Sequence, residues 1–197
     1  MSRGPVARDR INQFALVAYI PEPLAGFLDR LRQELVPYCF LRAHVTILPP
    51  RAITCSPEHA WNTIRALAPQ FPPFDVQLGG VEVFPRSDVI YLSIAQGSEV
   101  LRQMHDVLDV GGLRYKEDFP YHPHVTLAQE LKTDEVDELT RVAKQRWADF
   151  SFSTSFHVDK VVFVQNTRWK EWVDLGESRL GDGESKLVGE LTDLTVP

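Results

Sequence analysis

Long apolar runs are missing from this 197-residue chain, and none approaches the ~20 residues that a transmembrane helix needs. The opening Met1-Ser2-Arg3-Gly4-Pro5 lacks the apolar core of a signal peptide. Cysteine is scarce. Cys39 and Cys55 cannot make a disulfide framework, so they read as small buried hydrophobes in a reduced, cytoplasmic setting. An excess of positive charge is also missing: 21 Lys and Arg stand against 27 Asp and Glu, a net charge of −6. That argues against a general coat for DNA or RNA, which gains its affinity from counterion release, and leaves room for an enzyme gripping one phosphate locally. No P-loop, G-x-S-x-G, H-E-x-x-H or paired-cysteine metal motif occurs.

What is present is an ordinary globular composition, 44% hydrophobic and 24% charged. A chain of this length buries roughly 70% of its unfolded surface and needs no staple. Phe14 to Ile20, bounded by Pro21 and Pro23, predicts a buried strand, and Leu24, Phe27, Leu28, Leu31 and Leu35 follow at helical spacing. Residues 43–48 predict a strand stopped by Pro49-Pro50. Ser56-Pro57-Glu58 opens a helix with Trp61, Ile64 and Leu67 on its apolar stripe. Strands are expected at Phe74–Phe84 and Val89–Ala95, and a helix capped by Ser98 carries Leu101, Met104, Val107 and Leu108 up to Gly111-Gly112. A strand at His124–Ala128, a helix over Thr133–Trp147, and strands at Phe150–Phe156, Val158–Val164 and Trp169–Leu175 complete the pattern. Recurring strand–helix–strand units with hairpins favour an α+β fold of two pseudo-symmetric lobes over a doubly wound parallel sheet. Residues 1–175 are expected to form one bilobal domain, and 176–197, rich in Gly, Ser and acidic residues, a loosely docked tail.

The chemistry lies in a duplicated tripeptide. His44-Val45-Thr46 and His124-Val125-Thr126 stand 124 − 44 = 80 residues apart, one in each half of the chain. With 6 histidines in the whole sequence, composition alone predicts far fewer than one such triplet. On a strand, residues i and i+2 face the same side about 6.6 Å apart, so each His projects with its Thr. Two such strands related by a pseudo-twofold place two imidazoles and two hydroxyls around one cleft. Imidazole acts as acid or base near neutrality, and a stiff β-branched threonine aims a donor at an anionic oxygen. Two proton-transfer groups flanking two donors equip a site for displacement at phosphorus. A lone His-x-Thr reads as a structural histidine beside the core; its duplication reverses that reading. Metal binding is the competing use of histidine, but each motif offers one His with Thr rather than a carboxylate or thiol beside it. His122 reads as non-catalytic, and His59, His105 and His157 as surface or helix-face residues.

This duplicated motif resembles the 2H phosphoesterase superfamily, and most of all its bacterial 2′-5′ RNA ligase or RNA 2′,3′-cyclic phosphodiesterase branch. Pro123-His124-Val125-Thr126-Leu127-Ala128, preceded by Gly112-Leu113-Arg114, is similar to the second-motif region of that branch. Gly80 to Arg86 followed by Val89-Ile90-Tyr91-Leu92 resembles its central hairpin, and the likeness covers roughly residues 14–175. The resemblance implies antiparallel sheets with outer helices around a shared central cleft. It also implies cofactor-free, metal-independent opening or ligation of 2′-linked phosphodiesters. His44 and His124 are then the acid–base pair, with Thr46 and Thr126 on the phosphate. The implied partner is a nucleotide or RNA end, with no DNA or membrane, and the implied state is a monomer. One departure is Gln129, where the branch often carries Arg; an amide donates hydrogen bonds but no charge. Arg42, Arg51 and Arg86 are the candidates for that missing charge. Phe84 is a candidate for stacking on a nucleobase or for the core, and Tyr115 and Tyr121 for the cleft lining. Two further readings stay open: a hydrolase of a small cyclic phosphate such as an ADP-ribose derivative, and a catalytically quiet nucleotide-binding module.

Overall fold

The computed structural model describes residues 9–181 and 184–191. Its elements run β1 (Arg10–Tyr19), α1 (Leu24–Leu35), β2 (His44–Arg51), α2 (Pro57–Leu67), β3 (Phe74–Val83), β4 (Ile90–Gln96), α3 (Ser98–Leu108), β5 (His124–Ala128), α4 (Val136–Ala148), β6 (Ser155–Val158), β7 (Lys160–Thr167), β8 (Trp172–Arg179) and β9 (Ser185–Leu187). They build two antiparallel sheets, ordered β2-β1-β7-β8-β9 and β5-β4-β3-β6. The α+β class and the two lobes therefore stand. Among the described residues no helix is long and apolar enough to cross a membrane.

The lobes share a local plan. In the first, β1 runs through α1 into the edge strand β2; in the second, β4 runs through α3 into the edge strand β5. The helices are exchanged: α1 lies against β5, and α3 against β2. One continuous core results, in which Phe14, Leu16 and Phe163 from the first sheet meet Leu28 and Leu31 of α1, Trp61 and Ile64 of α2, and Leu101 and Met104 of α3. β1 reads as unbroken apolar sequence because its other face is covered too, Ala15 and Val17 packing with Val162 and Val164. Trp61 lies so close to β8 that a Cβ at Gly176 would sit 2.6 Å from its ring, which fixes glycine there.

Several boundaries differ from the sequence expectation, among them β6, which begins at Ser155 rather than Phe150. β2 continues through Pro49-Pro50 to Arg51, because β2 is an edge strand and the prolines sit in a bulge between the pairs Leu16↔Leu48 and Phe14↔Arg51. Gly97, with φ 91°, rather than Ser98 occupies the N-cap of α3, and α4 begins at Val136 rather than Thr133. The expected loose tail is corrected: the boundary at 175/176 falls inside β8, and β9 adds a fifth strand through Gly176↔Leu187 and Ser178↔Ser185. Val188 and Gly189 donate backbone N–H groups to Leu175 at 2.9 and 3.1 Å, and Arg10 donates to the Glu190 carbonyl. Residues 182–183 and 192–197 of that segment lie outside the described residues.

Candidate active site

β2 and β5 are edge strands of different sheets, and their Cα atoms approach within 8 Å. Each opens with its motif: His44 is the first residue of β2, and His124 the first of β5. Strand alternation sends Val45 and Val125 into the core at 0% exposure and leaves both histidines and both threonines partly accessible. Cross-strand pairing sets the floor beside them, Tyr19 opposite His44 and Val17 opposite Thr46 in one lobe, Ser93 opposite His124 and Tyr91 opposite Thr126 in the other.

The two imidazoles are held alike. His44 Nδ1 lies 2.7 Å from the Arg42 carbonyl and His124 Nδ1 2.7 Å from the His122 carbonyl. A carbonyl only accepts, so Nδ1 carries the hydrogen and Nε2 is the nitrogen left to exchange a proton. Burial, the Arg32 guanidinium and, to a lesser extent, His124 and Arg42 push His44 down to about 4, against the pull of its backbone hydrogen bond. Burial also lowers His124, with a smaller push from His122. Arg32, buried on α1, donates from Nη1 to the carbonyls of Leu41 and Arg42 at 3.2 and 3.3 Å, and so anchors the carbonyl that orients His44.

A sequence model of the 2′-5′ RNA ligase superfamily matches residues 20–168. The chain belongs to that superfamily. A Bacillus licheniformis protein bearing a phosphoesterase name is 26% identical over 137 residues, 68% of this chain and 80% of that one. One from Oceanobacillus iheyensis is 30% identical over 132 residues, 64% of this chain and 76% of that one. Among solved structures, apo E. coli LigT aligns with a TM-score of 0.60 at 17% identity, covering 88% of this chain and 99% of its own. Kluyveromyces marxianus Usb1 aligns with a TM-score of 0.50 at 14% identity, covering 83% and 97%. These likenesses concern the fold: two antiparallel sheets with helices, as found here.

This 2′-5′ RNA ligase superfamily member surrounds its motifs with aromatic and charged groups. Beside His44, Arg42 lies 3.6 Å over the Tyr19 ring and 3.3 Å from Asp174, while the Tyr19 hydroxyl donates to Asp174 at 2.5 Å. These residues, with Glu171 and Trp172, line an open pocket of about 450 Å³. Beside His124, Phe84 stacks on Tyr91 at 4.0 Å, and both present edges to His124 at 5.0 and 5.4 Å. The Tyr91 hydroxyl donates to Glu82 at 3.0 Å, and burial with that carboxylate pushes it up to about 12.

The weaker sequence candidates separate clearly. Arg42 and Phe84 stand beside the motifs. Arg86 is exposed on the turn between β3 and β4, and Gln129 is exposed just past β5. Arg51 is not available to a ligand: at 2% exposure it pairs with Asp109 and Glu117 and donates to the Leu113 and Pro49 carbonyls. Tyr121 works as a strut, its hydroxyl donating to the Thr46 carbonyl at 2.6 Å and its ring stacked on His105 at 4.2 Å. His105 in turn meets Glu117 at 3.0 Å, so Arg51, Glu117, His105 and Tyr121 tie the approach to the second motif onto the first. Both cysteines are half-buried rather than core residues, Cys55 pressed against Gly112. Sequence reasoning missed Arg32, Tyr19 and the His105–Tyr121 stack, which no local pattern announces. Among the described residues no group of three or more His, Cys, Asp or Glu is arranged to hold a metal ion.

Proposed function

We propose that this protein is a phosphodiesterase that opens, and in reverse joins, 2′,3′-cyclic or 2′-5′ phosphodiester bonds of RNA ends or nucleotides without a metal. The observation that carries the reading is the meeting of two His-x-Thr motifs on adjacent edge strands, each imidazole held in the same tautomer. Support comes from a structural neighbour, E. coli LigT, whose structures include complexes with phosphate and with 3′-AMP. The phosphate sits between the motifs, its non-bridging oxygens accepting from the Thr46 and Thr126 hydroxyls and from Arg42. Nε2 of one histidine takes a proton from water as the water oxygen bonds to phosphorus in line with the departing ribose oxygen. The bond from phosphorus to that oxygen breaks, and the protonated partner histidine gives it a proton. The phosphorus is left as a monoester beside a free ribose hydroxyl. In ligation a ribose hydroxyl takes the place of water, its oxygen bonding to the phosphorus of the cyclic diester while one ring P–O bond breaks, and the same two histidines move the protons.

Because both imidazoles are depressed in the free protein, the pair is largely neutral at pH 7, and the incoming anion restores the missing proton by favouring an imidazolium. Asp174 and Glu171 beside the cleft and the net charge of −6 disfavour a long polyanion, so the substrate is a nucleotide or a short RNA end. Incubation with a 2′,3′-cyclic mononucleotide, followed by phosphorus NMR, tests the reading. The cyclic diester resonance should give way to a monoester; binding without conversion would select the quiet nucleotide-binding module instead.

A further inference from the structure

We propose that His122 is an anion-binding residue of the cleft, the second-lobe counterpart of Arg42; this rests on the phosphodiester reading of the site. The residue enters through the symmetry of the two motifs. Residues 42–48 and 122–128 have the same succession of exposed, buried, half-buried, buried, half-buried, buried, buried positions. Arg42 and His122 are the exposed first members, and each lends its carbonyl to the motif histidine two residues on, at 2.7 Å in both lobes. A side chain so placed stands at the mouth of the same cleft as its partner.

Local packing supports the placement. The His122 ring stands edge-on to Phe84 at 5.4 Å and to Tyr91 at 5.8 Å, the two rings that also frame His124, and its centroid is 6.4 Å from that of His124. It therefore shares one aromatic wall with a proton-transfer group while remaining exposed.

Charge explains the need. The first lobe has Arg32 and Arg42 acting on His44, whereas the side chain acting on His124 is His122. Gln129 past β5 is uncharged, and Arg42 is partly neutralised by Asp174 at 3.3 Å. A phosphodiester carries one negative charge and its monoester product up to two, so a donor on the His124 side beyond the Thr126 hydroxyl strengthens the hold on both. A ring N–H of His122 supplies it.

The test uses the full chain, with inorganic phosphate binding by calorimetry and turnover of 2′,3′-cyclic AMP. His122→Ala should raise the phosphate Kd and the KM by roughly tenfold or more, the loss of one charge-assisted hydrogen bond. It should change kcat by less than about threefold, because the contact is made equally to ground and transition states. His122→Arg should restore both Kd and KM, which a merely structural histidine would not allow. Wild-type Kd and KM in His122→Ala would overturn the assignment and leave the phosphodiesterase reading intact. A wild-type protein that neither binds phosphate nor turns over the cyclic nucleotide would remove that reading, and this inference with it.

Discussion

Replacing His44 with Gln removes the ring whose protonation this fold opposes most strongly. Burial and the Arg32 guanidinium take it from 6.5 to about 4. Between those values the unfolded chain binds more protons than the folded one, so stability rises with pH across that window. The effect is a penalty on the folded state, absent above pH 6.5 and complete below about 4. At 1.36 kcal/mol per pH unit the gap corresponds to about 3 kcal/mol. The ring is partly open to the cleft, and solvent screening brings this to about 2 kcal/mol. Urea unfolding followed by tryptophan fluorescence from pH 4 to 7 measures it. The wild type should gain about 2 kcal/mol more than His44→Gln over that range, His124 contributing the same slope to both. Phosphate in the buffer should shrink the difference, since a bound anion stabilises the imidazolium. A difference between the two proteins that stays constant with pH would refute the claim that His44 is held neutral.

The threonines and the strut give sharper kinetic signatures. Thr46→Val and Thr126→Val keep the β-branched shape and delete a donor, so each should lower kcat/KM by roughly 10–100-fold in steady-state assays. An unchanged value would demote the hydroxyls to structural groups. Tyr121→Phe loses the hydrogen bond to the Thr46 carbonyl; it should cost about 1 kcal/mol in urea unfolding and lower kcat several-fold with little change in KM. Arg51→Met strands Asp109 and Glu117 and should destabilise the chain by about 3 kcal/mol by the same unfolding assay.

How much of this was legible depended on how local each signal is. The α+β alternation and the two motif strands follow from short-range periodicity, and the duplication of His-Val-Thr marked the two edge strands that meet. The ends of elements were less legible where tertiary pairing overrode local rules. Pro49-Pro50 looks like a stop until β2 is known to be an edge strand with a bulge. The Gly- and Ser-rich segment after residue 175 looks like a tail until β8 offers it a free edge to pair with. Arginines were the least legible. Arg42, Arg51 and Arg86 are chemically alike in sequence, yet one lies beside His44, one is buried between two carboxylates and one is exposed on a turn. In sequence Tyr121 lies close to the second motif and reads as cleft lining, whereas its hydrogen bond runs to the first. His122 reads as non-catalytic in sequence because Pro123 obscures strand alternation; the equivalence of positions 42 and 122 is the signal that finds it.

The central claim is that His44 and His124 transfer protons as a pair without a metal, and kcat/KM for a 2′,3′-cyclic mononucleotide, measured against pH in EDTA, tests it most directly. Full activity is expected in the chelator, with a bell-shaped profile whose limbs report apparent values for the coupled pair. His44→Ala and His124→Ala should each lose roughly 10²–10⁴-fold, and the double variant far less than the product of the two. Activity that vanishes in EDTA and returns with a divalent cation, or that survives intact in either single variant, would contradict it.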